Sequence, residues 1–177
     1  MKKLLAAILC LLALTGCAPS ADSESIPALP EDFAICFSDW VDPLQKNIFD
    51  TYEGRLEKDL VLAGRAECVY SADEETLRAI WEQLCRLDLR SVQREMTADV
   101  LRGDDGTTVS GKPPWRFALR FRADGTEYAV SGDASAEMFE ESDDEARRFM
   151  DFVRFMLPLI RELDEFRALP DADGMYE

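Results

Sequence analysis

Trp115-Arg116-Phe117-Ala118-Leu119-Arg120-Phe121-Arg122, with Ala123-Asp124-Gly125-Thr126 and then Glu127-Tyr128-Ala129-Val130-Ser131, is the stretch on which the fold turns. Successive side chains of a strand point to opposite faces, so Trp115, Phe117, Leu119 and Phe121 share one face and Arg116, Arg120 and Arg122 the other. Asp124-Gly125 suits a tight two-residue turn, and the returning run puts Tyr128 and Val130 on the apolar face. An antiparallel hairpin with one face in the core is predicted.

Two helices are predicted on either side of this hairpin. Ser71-Ala72-Asp73-Glu74 has the spacing of a reciprocal cap, and Leu77, Ile80, Trp81 and Leu84 follow at helical intervals. Ser142-Asp143-Asp144-Glu145 repeats that cap ahead of a stripe of Phe149, Val153, Met156, Ile160 and Leu163. Pro158 lies inside that stripe and predicts a kink, because proline removes one helical hydrogen bond. Upstream, Phe33-Ala34-Ile35-Cys36-Phe37 has the aromatic and β-branched content of a strand, and Asp42-Pro43 signals a turn. Residues 47–62 and 65–70 then read as two strands of a hairpin about Ala63-Gly64, with a bulge suggested at Gly54. The order of strands, helix, strands, helix predicts an α+β domain, an antiparallel sheet with two amphipathic helices packed on one face.

The N-terminus reads as an address. Met1-Lys2-Lys3 is a positive start, and residues 4–14 form an apolar run too short for a permanent membrane span. The run ends in Leu14-Thr15-Gly16-Cys17, which resembles the lipobox of bacterial lipoproteins: a branched apolar residue, two small residues and a cysteine that takes the lipid. Cys17 is therefore the predicted lipidation site and the membrane, on its extracytoplasmic face, a predicted partner. Each buried methylene of such an anchor contributes about 0.8 kcal/mol. The predicted organisation is a signal over 1–16, a lipidated cysteine and flexible tether over 17–32, and one domain over 33–177.

Loss of Lys2 and Lys3 with the signal takes the formal charge from −16 to −18, and 177 residues less 16 leaves a chain of one-domain size. So acidic a surface repels nucleic acid and anionic headgroups. Cys10 departs with the signal and Cys17 carries lipid, leaving Cys36, Cys68 and Cys85, which cannot all pair. One disulfide and three buried thiols are both compatible with the sequence.

The chain has no histidine, so imidazole-based nucleophilic catalysis and His-containing zinc sites are absent. Gly106-Thr107-Thr108-Val109-Ser110-Gly111-Lys112 has phosphate-loop spacing, but Pro113 follows where a hydroxyl is needed and a strand replaces the helix. It reads as part of a loop running from Gly103 to Pro114. Asp171-Ala172-Asp173-Gly174 starts like a calcium loop, yet Glu177 comes too early for the twelfth position. No metal or other cofactor is predicted. Asp143 and Asp144 read as residues favouring a helix N-terminus rather than as acid/base catalysts. Glu57, Lys58 and Asp59 read as charges protecting an exposed edge strand. Arg116, Arg120 and Arg122 form a basic stripe in an acidic protein and are the candidate binding residues for an anionic ligand or envelope protein; cross-strand pairing with Glu127 is the simpler account.

Phe49-Asp50-Thr51-Tyr52, Glu57-Lys58-Asp59-Leu60, the first helix with Ile80-Trp81 and Leu87-Asp88-Leu89, the Trp115 hairpin and Phe166-Arg167-Ala168-Leu169-Pro170-Asp171 together resemble a family of small, uncharacterised lipoproteins and secreted proteins of Gram-positive bacteria. Arg55-Leu56-Glu57 departs from it where a threonine-rich strand is usual. The resemblance implies a shared fold and an envelope address, with no activity attached. The function expected from the sequence is a membrane-anchored, non-enzymatic binding or accessory domain. A carboxylate-dependent envelope hydrolase and an inhibitor of a secreted hydrolase are the alternatives.

Overall fold

A computed structural model of the chain describes residues 26–97 and 115–176. Among these, β1 (Ala34–Trp40), β2 (Asn47–Asp50), β3 (Arg55–Asp59), β4 (Arg65–Val69), β5 (Glu95–Met96), β6 (Arg116–Ala123) and β7 (Thr126–Asp133) form one sheet in the order β4-β3-β2-β1-β6-β7-β5. All pairs are antiparallel except β5 with β7. Helices α1 (Glu74–Arg86), α2 (Asp144–Glu162) and the short α3 (Asp164–Ala168) complete the domain. The protein is an α+β sandwich with α1 and α2 on one face of the sheet, as the sequence predicts.

Alternation along the strands builds that packed face. Ile35 and Phe37 of β1 stand opposite Phe121 and Leu119 of β6, Phe37 faces Phe49 of β2, and Phe49 faces Leu56 of β3. All are fully buried, or within 1% of it. Helix α1 adds Ile80, Trp81 and Leu84 to this layer, and α2 adds Phe149, Phe152, Val153 and Met156. The rings of Phe37 and Phe152 meet edge-on at 6.4 Å across the sheet–helix boundary. The hairpin turns at Asp124-Gly125, with Phe121 opposite Tyr128 in register and their rings stacked 4.8 Å apart.

Several expectations are corrected. Residues 47–62 form two strands rather than one, because Gly54 at φ +67° closes a turn in which Asp50 accepts hydrogen bonds from the backbone N–H groups of Tyr52 and Glu53. That turn places β4 outside β3, so the Glu57-Lys58-Asp59 run is not an exposed edge: Glu57 is 2% exposed and held between Arg55 and Arg65, and Asp59 is 8% exposed. The helix caps also fall elsewhere. Asp73, not Ser71, caps α1 by accepting from Thr76 N–H at 2.7 Å, and Asp143, not Ser142, caps α2 by accepting from Ala146 N–H at 3.0 Å. A carboxylate one residue from the helix adds favourable charge to the cap hydrogen bond, which a serine further out does not. Helix α2 passes through Pro158 and continues to Glu162.

The chain is attached to the domain before Phe33. Pro27 C=O accepts from the Trp81 indole at 2.9 Å, and the Asp32 carboxylate accepts from Asp124 N–H and Gly125 N–H at 2.9 Å each. Cys36, Cys68 and Cys85 are free thiols, each half-buried. Burial pushes the Cys36 thiol up to about 11, and the nearby Asp50 charge adds to it. Residues 1–25, with Cys17, and the loop over 103–114 with its phosphate-loop spacing lie outside the described residues.

Candidate binding cleft

At the Asp39 end of β1 the packed face changes from aromatic to polar. Asp39 has the same strand phase as Ile35 and Phe37, so alternation directs it toward the helices, and it is 4% exposed. In the register its neighbours are Asn47 of β2 and Phe117 of β6. Its Oδ2 accepts from Asn47 Nδ2 and from the Trp115 indole, both at 3.0 Å. Among the described residues no cationic nitrogen lies within ion-pair distance of it. Burial raises the Asp39 carboxyl above its ordinary range, outweighing the opposing pull of those two hydrogen bonds and of Arg161, and the Asp59 charge reinforces the rise.

Two hollows share Asp39, Asn47, Asp59 and Arg161 as their common lining. The larger, about 420 Å³, extends toward Lys58, Phe166 and Arg167, with Leu157 and Ile160 of α2 as its apolar wall. The smaller, about 200 Å³, extends toward Trp40, Trp115 and Tyr176. Arg161, in the last turn of α2, stands 5.9 Å over the Trp115 ring. Lys58 stands 5.4 Å over the Phe166 ring, and among the described residues its ammonium makes only long contacts of 3.4 Å, to Leu169 C=O and to the fully exposed Asp171. Among the described residues, both cations therefore lie on aromatic faces beside carboxylates without close ion pairs.

The C-terminal segment runs along the mouth of the cleft. Asp173 accepts from Leu62 N–H and Ala63 N–H at 3.0 and 3.1 Å, while its own N–H donates to Leu60 C=O at 3.2 Å. The Tyr176 hydroxyl donates to Asp59 Oδ2 at 2.6 Å, and Asp59 Oδ1 accepts from Val61 N–H at 2.8 Å. Burial, followed by that hydrogen bond to Asp59, pushes the Tyr176 phenol far above its usual range. The residues that resembled the start of a calcium loop thus have a structural task, since Asp173 clasps the β3–β4 turn.

Of the arginine stripe, Arg120 alone lines a hollow, a separate one of about 380 Å³ that it shares with Cys36, Ser38 and Arg94; Arg116 and Arg122 do not line it. Arg116 and Arg120 are exposed on the outer face, as alternation predicts, and Arg122 is half-buried. The guanidinium groups of Arg120 and Arg122 stand 4.5 and 5.4 Å over the Tyr52 ring. Arg122 donates to Asp32 C=O at 3.2 Å, with the Asp32 carboxylate 3.7 Å away. Glu127 faces Arg122 in register, yet its carboxylate accepts from the Tyr52 hydroxyl at 2.9 Å rather than pairing with arginine. The expected cross-strand pair is corrected to a tyrosine-centred cluster. Asp143 and Asp144 stand apart from the cleft at the start of α2, where Asp143 is bound by Arg94 and Asp144 by Arg147.

Lys58 and Asp59 were visible in the sequence as a charged run, but their place in a cleft depended on the turn at Gly54. Asp39 carried a signal of its own, a carboxylate in the same phase as Ile35 and Phe37. Arg161 and Tyr176 carried none, because they reach the cleft only through the packing of α2 and the course of the tail. No family model matches this chain, and no curated protein matches it.

Proposed function

We propose that this protein is a lipid-anchored extracytoplasmic binding or accessory lipoprotein, whose domain receives its ligand in the cleft between the Asp39 end of the sheet and the last turns of α2. The observation that carries the binding assignment is a buried carboxylate, Asp39, without a close counter-ion, in the floor of a hollow with apolar and cationic walls. Binding pockets combine these features, an apolar lining with a few convergent polar groups. The address rests on the lipobox Leu14-Thr15-Gly16-Cys17 and on the short apolar run before it. Among the described residues no helix is long and apolar enough to cross a membrane.

The test has two parts. Cys17→Ala is expected to release the protein from the membrane fraction or leave it as an unprocessed precursor; unchanged retention after removal of residues 1–16 would contradict the anchor. Fractionated envelope extract is expected to raise the melting temperature of the full chain, and to protect Arg161→Ser less, since a ligand bound only by the native state stabilises it. No protection by any fraction would remove the binding assignment.

A second reading draws on Asp39 and Asp59 lining one cleft, the first with a raised pKa. Two such carboxylates suffice for acid/base hydrolysis of a glycosidic bond. Both Asp59 oxygens are already engaged by Val61 N–H and the Tyr176 hydroxyl, which weighs against their acting as a base or nucleophile. Release of reducing ends from purified cell wall, lost in Asp39→Asn, would favour this reading over simple binding.

A further inference from the structure

Resting on the binding assignment above, we infer that the cleft takes a small zwitterion, an α-amino acid or short peptide with free termini and an apolar side chain. The ammonium seats against Asp39 and Asp59, and the carboxylate seats between Lys58 and Arg167. The argument begins with sign and place. The floor shared by the two hollows carries two buried carboxylates. Lys58 and Arg167 line the larger hollow alone, with the fully exposed Asp171 as their one acidic neighbour there, while Arg161 lines both hollows beside Asp39 and Asp59; the balance is therefore acidic in the shared floor and basic at the far end of the larger hollow. Between them the wall is Leu157, Ile160 and Phe166. A hollow of about 420 Å³ falls in the range of small-molecule sites and has room for an amino acid or dipeptide.

The fold leaves the partners such a ligand needs. Among the described residues Asp39 accepts from the neutral donors Asn47 and Trp115 and has no close cation. Its nearest cationic influence, Arg161, is exposed and lies over Trp115 instead. A ligand ammonium would supply the missing charge beside a carboxylate that is itself 4% exposed, where ion pairing is stronger than at a surface. At the other end, Lys58 is held by 3.4 Å contacts and Arg167 by a 3.7 Å contact to the exposed Glu162. A carboxylate accepting from both makes shorter bonds than those it replaces.

Titration calorimetry on the full chain in detergent tests this with four probes: glycyl-L-leucine, its N-acetyl form, its C-terminal amide and free L-leucine. Glycyl-leucine or leucine is expected to bind, the stronger of the two showing which length fits. Removing either ligand charge is expected to weaken binding roughly tenfold or more. Asp39→Asn is expected to erase the penalty for acetylation, and Lys58→Gln the penalty for amidation. Because the charge series is read first on the parent protein, it needs no variant to fold. Equal binding of the charged and blocked dipeptides, or no binding of any probe at millimolar concentration, would overturn the inference. An envelope fraction that protects the protein through a component without an ammonium–carboxylate pair would also overturn it, while leaving the cleft's binding role intact; protection by no fraction sinks both.

Discussion

Asp39 concentrates the conflict between folding and binding at one residue. Its raised pKa means that the native state holds the proton more tightly than the unfolded chain does. Its contribution to stability is therefore fully present below the unfolded carboxylate range and is lost as pH rises through the raised native value. Asp39→Asn keeps an acceptor for Asn47 and Trp115 and removes the charge, so its denaturation midpoint is expected to rise relative to the parent's as pH climbs above the ordinary carboxylate range. Parallel midpoints for the two proteins over that climb would refute this. Asp39→Ala instead leaves both donors unmatched and is expected to cost about 1–3 kcal/mol. A second residue acts through size alone: a Cβ on Gly132 would lie 2.6 Å from Met96 C=O and 2.8 Å from a Phe149 ring carbon. Gly132→Ala is expected to destabilise by about 1–3 kcal/mol and to detach β5, seen as faster amide exchange along residues 95–96. Asp39 was missed because the sequence reading ends the strand at Phe37, whereas β1 runs on to Trp40 and carries the same phase to Asp39. Gly132 was missed because the close approach depends on the pairing of β5 with β7.

Among the elements, the hairpin was the most legible because period-2 alternation and an Asp-Gly turn agree over two eight-residue strands. Phe117 and Phe121 are 1% and 0% exposed, so alanine at either is expected to cost about 3–5 kcal/mol by chemical denaturation. Serine at Arg116 is expected to change stability by less than about 0.5 kcal/mol. Arg120→Ser, which loses the Tyr52 ring, should cost about 0.5–1 kcal/mol. A larger cost at Arg116 than at Phe117 would mean that the faces are inverted. The start of α2 shows where local patterning misleads. Asp143 is raised by desolvation, but Ala146 N–H and Arg94 outweigh this and lower its carboxyl overall, so its stabilising effect exists above the ordinary carboxylate range and disappears as pH falls through the lowered native value. Asp143→Ala is expected to cost about 1–2 kcal/mol at neutral pH, and the loss should vanish in strong acid. The Ser-x-x-Glu spacing pointed one residue away because it describes a reciprocal pair, whereas here Arg94 bridges Asp143 and Glu145 from outside the helix.

For the whole molecule, the fold class was legible because every long element had a clear period, and the cleft was not because it joins segments far apart in sequence. Asp39, Arg161 and Tyr176 meet only when the sheet, α2 and the tail are all in place. The tail is tied to the β3–β4 turn by Asp173 and to Asp59 by Tyr176. Deletion of residues 171–177 is accordingly expected to speed amide exchange at Leu62 and Ala63 while leaving the β6–β7 amides protected; unchanged exchange at the turn would show that the clasp contributes nothing. The two ends of β1 differ in what they hold. At its start, Asp32 pins the incoming chain to the Asp124-Gly125 turn; at its far end, five residues beyond Ala34 and roughly 17 Å away at the rise of a strand, Asp39 floors the cleft. On the lipid-anchored reading, the point where the tether joins the domain and the floor of the cleft lie at opposite ends of one strand, so a pull on the tether is borne by the Asp32 clasp before it reaches the cleft.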